Sequence, residues 1–204
     1  MMRKGRGSLF IVSAPSGAGK TTLCQKLAGL LPGIGQSISF TTRPPRKGEV
    51  NDRDYTFISE DEFRKLITQG EFLEWAKVHG NLYGTSRRRL EQLRNEGNDA
   101  ILDIDIEGAR QVRAADGNGV FIFILPPSLS VLKARLDGRR SDAPEEIALR
   151  MKRAKEEIKE YKHYDYVIVN DVFDDALSEL KAIVIAERLR VDRVNPEWVR
   201  DIMQ

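Results

Sequence analysis

The chain has 204 residues, 41% hydrophobic and 31% charged, enough to close a core in one domain or in a core with insertions. Lysine and arginine total 33 against 31 acids, a net charge of only +2, so the total gives no support for a partner with a nucleic-acid backbone. A lone cysteine, Cys24, excludes an intrachain disulfide and reads as a small apolar residue on a buried helix face.

Near the start, Arg3, Lys4 and Arg6 precede an apolar run of only Leu9 to Val12. That is too short for the central region of a signal peptide or for a membrane span, so a cytoplasmic protein with no membrane partner is expected. Leu9 to Val12 is a predicted buried strand, followed by a glycine-rich turn. A helix then carries Leu23, Leu27, Leu30 and Leu31 on one face and stops at Pro32-Gly33. From Ser37 to Leu93 the chain turns polar, with short alternating segments at Tyr55 to Ile58 and Phe72 to Val78. Between them Ser59 and Glu62 form a capping box, Phe63, Leu66 and Ile67 an inner face, and Gly70 a stop.

Apolar strands return at Ala100 to Ile106, Val120 to Leu125 and Tyr166 to Val169, with helices over Ala109 to Ala115 and Leu129 to Leu136. The segment from Arg135 to Arg150 is charged and contains Gly138-Arg139-Arg140-Ser141-Asp142. It leads into a long helix with Ile147, Met151, Ala154, Ile158 and Tyr161 on one face. A last helix spans about Asp174 to Arg190, with Leu177, Leu180 and Val184 inward, and Arg188, Arg190 and Arg193 read as a solvated helix end. Strands alternating with helices argue an α/β fold with a parallel sheet. The segment beyond Val191, with Pro196, Trp198 and Ile202, has no assigned role.

The motif that carries chemistry is Ala14-Pro15-Ser16-Gly17-Ala18-Gly19-Lys20-Thr21, set between strand and helix. Glycines let backbone N–H groups converge on a phosphate, and the helix N-terminus adds partial positive charge. Lys20 suits the β- and γ-phosphates, its ammonium expected to stay solvated until nucleotide arrives, and Thr21 suits Mg²⁺. Ala14 stands where the pattern has its first glycine, which a small side chain permits at negative φ. Asp103, in Leu102-Asp103-Ile104-Asp105, is a second candidate for Mg²⁺, directly or through water. Cys24, His79 and His163 do not recommend themselves as covalent nucleophiles, so direct in-line transfer is expected.

A phosphate loop does not choose the acceptor. Ser39-Phe40-Thr41-Thr42-Arg43-Pro44-Pro45-Arg46-Lys47-Gly48-Glu49 places two forked guanidinium groups three residues apart in a proline-stiffened loop, with Tyr55 and Tyr83 as neutral donors. On these residues alone, an exposed basic loop remains equally open.

That run, followed by Asp54-Tyr55, Glu71-Phe72-Leu73-Glu74, Gly80-Asn81-Leu82-Tyr83-Gly84-Thr85 and Ile101-Leu102-Asp103-Ile104-Asp105, resembles the guanylate kinase family in order and spacing, over about Ser8 to Arg190. The resemblance implies a P-loop nucleoside monophosphate kinase fold: a core of residues 1–36, 94–134 and 156–204, a GMP-binding insert of 37–93 and a lid of 135–155. It implies transfer from MgATP to GMP, and to dGMP, in purine nucleotide recycling. Ala14 to Thr21, Thr22, Arg135, Arg139, Asn170 and Asp171 are then expected at ATP. Ser39, Arg43, Arg46, Glu49, Tyr55, Glu74, Tyr83, Thr85 and Asp105 are expected at GMP, with Lys20, Arg43, Arg139 and Arg150 acting on the transferring group. The residues agree independently, because the guanine edge offers two donors that a carboxylate accepts, whereas adenine would present a lone pair. A kinase of another phosphorylated acceptor and a catalytically inert scaffold module are the alternatives. The oligomeric state is open, a homodimer included.

Overall fold

Strands buried on both faces must be apolar throughout, and β1 (Leu9–Ser13) is buried at every position. The structure is a computed structural model that describes residues 5–78, 80–115, 117–138 and 144–204. The expectations for His79, Arg139, Arg140, Ser141 and Asp142 lie outside the described residues. After β1 comes α1 (Lys20–Leu30), which returns the chain to β2 (Ile34–Gln36). Leu23, Cys24 and Leu27 are buried, but Leu30 is exposed, because the helix ends there and only Leu31 turns inward.

The polar segment folds as a separate sheet. Its strands are β3 (Phe40–Thr41), β4 (Thr56–Phe57), β5 (Phe72–Val78) and β6 (Asn81–Ser86), in the order β4-β3-β6-β5. Helix α2 (Glu60–Thr68) lies between β4 and β5, and the Ser59–Glu62 capping box starts it as expected. Phe63 stacks on Phe72 with centroids 4.5 Å apart, and Leu82 completes this small core. Gly84 makes that stack possible, since a Cβ there would lie 2.9 Å from the Phe72 ring.

Helix α3 (Arg87–Asn95) leads back to the main sheet at β7 (Asp99–Asp103), followed by α4 (Ile106–Ala115) and β8 (Val120–Leu125). The strand expected over Ala100 to Ile106 therefore stops at Asp103, and the helix expected from Ala109 starts three residues earlier, at Ile106. Apolarity runs on through Ile104 and Ile106, but the Asp105 carboxylate accepts the Gly108 N–H at 2.7 Å and caps a helix instead. Helices α5 (Leu129–Asp137) and α6 (Pro144–Ile158) pair through Leu132, Leu136, Ile147, Met151 and Ala154. Tyr161, expected on that inner face, is exposed because α6 gives way to a 3₁₀ turn over Lys159–His163. Then follow β9 (Tyr166–Val169), α7 (Phe173–Arg188) and, at the end of the chain, α8 (Pro196–Ile202).

The main sheet has the order β2-β7-β1-β8-β9, with every pair parallel. Strand β1 is central, and the carboxyl ends of β1, β7 and β9 open on one edge, where α/β sheets carry their sites. Arg188, expected in solvent, instead closes the opposite end: its Nε donates to Asp99 Oδ2 at 2.6 Å, and its Nη2 reaches the Pro32 carbonyl. Asp99 also accepts the Ser8 N–H at 2.6 Å, so one buried carboxylate joins α7, β7 and the entry to β1. Removing one partner of a buried pair strands the other charge. Arg188→Ala is therefore expected to cost about 3 kcal/mol of unfolding free energy in urea titrations, whereas Arg190→Ala, on an exposed pair, should cost under about 1 kcal/mol.

Candidate active site

The turn after β1 has the backbone that a phosphate cradle needs. Gly17 and Gly19 take φ of 97° and 90°, while Ala14 is buried and does not have a positive φ, so the missing glycine costs nothing. Leu132 and Leu136 of α5 close on Gly17. Behind Gly19 lies Asn170, whose Nδ2 would be 2.4 Å from a Cβ there. The Asn170 side-chain amide donates to the Ala18 carbonyl at 2.7 Å, and the Asn170 main-chain carbonyl accepts Arg135 Nη2 at 2.9 Å. Asn170 thus supports the loop from behind, and Asp171 beside it is exposed.

Lys20 departs from expectation. Its ammonium pairs with the Asp103 carboxylate and donates to the Ile104 carbonyl at 2.6 Å, so it is held by the end of β7 rather than by solvent. Register explains this, because Val12 lies opposite Asp103 and brings the loop leaving β1 alongside the chain leaving β7. Thr21 and Thr22 are exposed in the first turn of α1. Arg135 Nη1 is buried without a hydrogen-bond partner among the described residues, a donor that an incoming phosphate oxygen would satisfy. Arg150 reaches the loop itself, its Nη2 donating to Ser16 Oγ at 3.0 Å.

The insert gathers the other predicted group. Arg43 forks onto Glu49 with two bonds of 2.9 Å, and Glu49 also takes the Arg46 N–H at 2.6 Å. The Glu49 bond raises the pKa of the Arg43 guanidinium, and the Arg43 bond lowers that of the Glu49 carboxyl. Arg43 also lies over the Tyr55 ring, 5.4 Å from its centroid. Burial pushes the Tyr55 phenol up to about 12, which keeps it a neutral O–H donor. The Arg46 side chain is exposed and does not join this cluster. Ser39 is half-buried, its carbonyl accepting the Thr56 N–H.

Glu74 is the least ordinary group. A bulge between Phe72 and Glu74 puts three consecutive residues, Phe72, Leu73 and Glu74, out of solvent. Glu74 faces Thr85 across the β5–β6 ladder and accepts its hydroxyl at 2.6 Å. Burial, with the Asp105 charge nearby, raises its carboxyl to about 7 although the Thr85 bond opposes this. Both carboxylates close on Gly108, where a Cβ would lie 2.5 Å from Glu74 Oε2 and 3.3 Å from Asp105 Oδ1. Gln111, which sequence reasoning missed, fixes this approach: its amide takes the Trp75 N–H at 3.0 Å and returns a bond to the Trp75 carbonyl at 2.8 Å. A lone glutamine on an amphipathic helix carries no signature. Only the neighbouring strand shows its use.

The edge therefore has a glycine loop with cations and a buried Glu74 beside the half-buried Asp105, and the insert has an arginine caged by Glu49 and Tyr55. No helix among the described residues is long and apolar enough to cross a membrane. A family model described as "Guanylate kinase" matches residues 6–187. The chain is 56% identical over 191 residues to the guanylate kinase of Geobacter metallireducens, covering 94% of each chain. It is 54% identical over 191 residues to that of Geobacter sulfurreducens, again covering 94% of each. The crystal structure of guanylate kinase from Anaplasma phagocytophilum superposes with a TM-score of 0.79 at 36% identity, covering 95% of this chain and 92% of that one.

The loop geometry makes its own prediction. Gly19→Ala places a side chain on left-handed backbone and against the Asn170 amide. Thermal or urea unfolding should show a loss of about 1–3 kcal/mol, and Gly29→Ala, whose Cβ meets open space within α1, should be neutral or stabilising.

Proposed function

The chain belongs to the guanylate kinase family and is a nucleoside monophosphate kinase, and we propose on that premise that it moves the γ-phosphoryl group of MgATP to GMP, and to dGMP, in the cytoplasm. The observation that carries the acceptor is the buried Glu74, bonded to Thr85 and set beside Asp105. A desolvated carboxylate needs donors, and the guanine N1–H and N2 amino group supply two. Adenine would leave it facing a lone pair.

In this reading residues 37–93 form the GMP-binding insert, 135–155 the lid, and the remainder the core. Arg43 exchanges Glu49 for the GMP phosphate, with Arg46, Tyr55 and Tyr83 as further donors and Ser39 completing the acceptor site. Ala14 to Thr22 cradle the ATP phosphates, Arg135 offers its buried Nη1, and Asn170 holds the loop in shape. Asp171 lies beside the adenine. The Thr21 hydroxyl and the Asp103 carboxylate are hard oxygen donors at the loop, a set that fits Mg²⁺. Bound there, Mg²⁺ would neutralise phosphate charge. Lys20, Arg150 and Arg139 stabilise the charge that spreads over the transferring group, and Arg43 lowers the repulsion between two anions, so no covalent enzyme intermediate is needed. Closure of lid and insert excludes water.

A coupled assay of ADP release with GMP, AMP, CMP and UMP tests the assignment. GMP should dominate, and equal turnover of AMP would overturn it. Glu74→Gln should lower kcat/KM for GMP by about 10- to 150-fold, as for one charge-assisted bond, with little change in ATP parameters.

The raised carboxyl also predicts a pH profile. Guanine needs Glu74 ionised, so kcat/KM for GMP should rise roughly tenfold between pH 6 and 8, with the inflection near 7 absent from Glu74→Gln. The stability linkage has the opposite sign. Between about 4.5 and about 7 the folded chain keeps a proton that the unfolded chain has lost, so this group's contribution to stability falls as pH rises across that window.

A further inference from the structure

Tyr55 meets Arg43 from a strand that has little to hold it. Strand β4 lies at the edge of the small sheet and pairs with β3 alone, Thr56 opposite Phe40 and Phe57 opposite Thr41. That is shorter than strands usually run. The turn that delivers Tyr55 to β4 is tight. Asp52, at φ 58°, is the only non-glycine residue with a positive φ among the described residues, and its N–H bonds the Tyr55 carbonyl at 2.8 Å. Aspartate tolerates that backbone better than most residues, but tolerance does not fix it.

Arg89, in the first turn of α3, reaches across to this turn. Its Nη1 donates to Thr56 Oγ1 at 2.6 Å, and the Thr56 hydroxyl donates on to Asp52 Oδ1 at 2.6 Å. Arg89 Nη2 lies 3.5 Å from the same Asp52 oxygen. The buried hydroxyl accepts from a cation and donates to an anion, so each bond polarises the other. The guanidinium also lies over the Phe40 ring, 4.5 Å from its centroid. Phe40 follows Ser39, whose carbonyl accepts the Thr56 N–H at 2.9 Å. One side chain therefore touches both flanks of Tyr55 and the neighbour of Ser39.

We propose that Arg89 is a positioning residue of the acceptor site, on the reading of Arg43, Tyr55 and Tyr83 as the place of the GMP phosphate. It holds the turn from Asp52 to Thr56 so that Tyr55 stands against Arg43, and it acts on GMP through Tyr55. The chain of bonds through Thr56 orders the variants. Arg89→Ala removes the cation, whereas Thr56→Val keeps the shape and removes the hydroxyl between Arg89 and Asp52. Arg89→Lys keeps the charge but not the planar fork.

Steady-state kinetics in both substrates, with melting curves, read the order. A donor that holds the phosphate equally before and during transfer changes KM rather than kcat. Arg89→Ala should raise the KM for GMP about tenfold, the lower end for a hydrogen bond to a charged group. Both kcat and the KM for ATP should stay within about threefold. Thr56→Val should do the same, and the double variant should be no worse than the poorer single one, because both break one chain. Arg89→Lys should recover only a small part of the loss. Full recovery in Arg89→Lys would overturn the proposal in favour of a charge effect. So would a KM for GMP within about twofold of wild type in Arg89→Ala, equal losses in both substrates, or losses that multiply in the double variant. If Arg89→Ala does not fold, Thr56→Val decides. Failure of the kinase reading would show separately, as wild-type protein that does not phosphorylate GMP.

Discussion

The active edge depends on the pairing of β1 with β7. With Val12 opposite Asp103, the phosphate loop leaves one strand as Ile104 and Asp105 leave the other. Lys20 then meets Asp103 and the Ile104 carbonyl, and Asp105 caps α4 within reach of Glu74. A slip of one residue would turn Asp103 to the opposite face of the sheet and remove the contacts of Lys20. The apolar burial of Phe10, Ile11, Ile101 and Leu102 therefore fixes the chemistry as well as the core.

Both cation sites are already filled by the protein's own acids. Lys20 holds Asp103, and Arg43 holds Glu49 through two bonds. In the proposed reading, binding of phosphate is an exchange of anions on prearranged cations rather than an ordering of free side chains, which lowers the entropy lost on binding. Aromatic contacts from Tyr55 and Phe57 keep Arg43 in place. Burial raises the Glu74 carboxyl to about 7 although Lys20 and the Thr85 bond both oppose it.

Local chemistry was legible in the sequence. The phosphate loop, the Ser59–Glu62 box and the apolar strands β1, β8 and β9 each declare themselves within a few residues. The end of β7 did not, because Ile104 and Ile106 continue the apolar pattern while Asp105 diverts the backbone into a cap. Leu30, Tyr161 and Arg188 were misjudged at helix ends, where periodicity no longer says which way a side chain turns. The partner of Arg188, Asp99, lies 89 residues away. Gln111 was invisible for the same reason, since it acts on a backbone far off in sequence. The resemblance singled out Glu74, but its depth comes from a bulge that alternation alone does not announce.

Asn170 carries a liability of another kind. Its amide is the donor that grips the Ala18 carbonyl, and it is followed by Asp171 in the chain. Hydrolysis of a side-chain amide, the ordinary ageing of asparagine in stored protein, would replace that donor with an acidic oxygen facing another oxygen. The phosphate loop would lose its rear support with no change in fold. Burial slows that chemistry. The shelf life of the enzyme is thus tied to how firmly the bonds to Ala18 and Arg135 hold Asn170 in place.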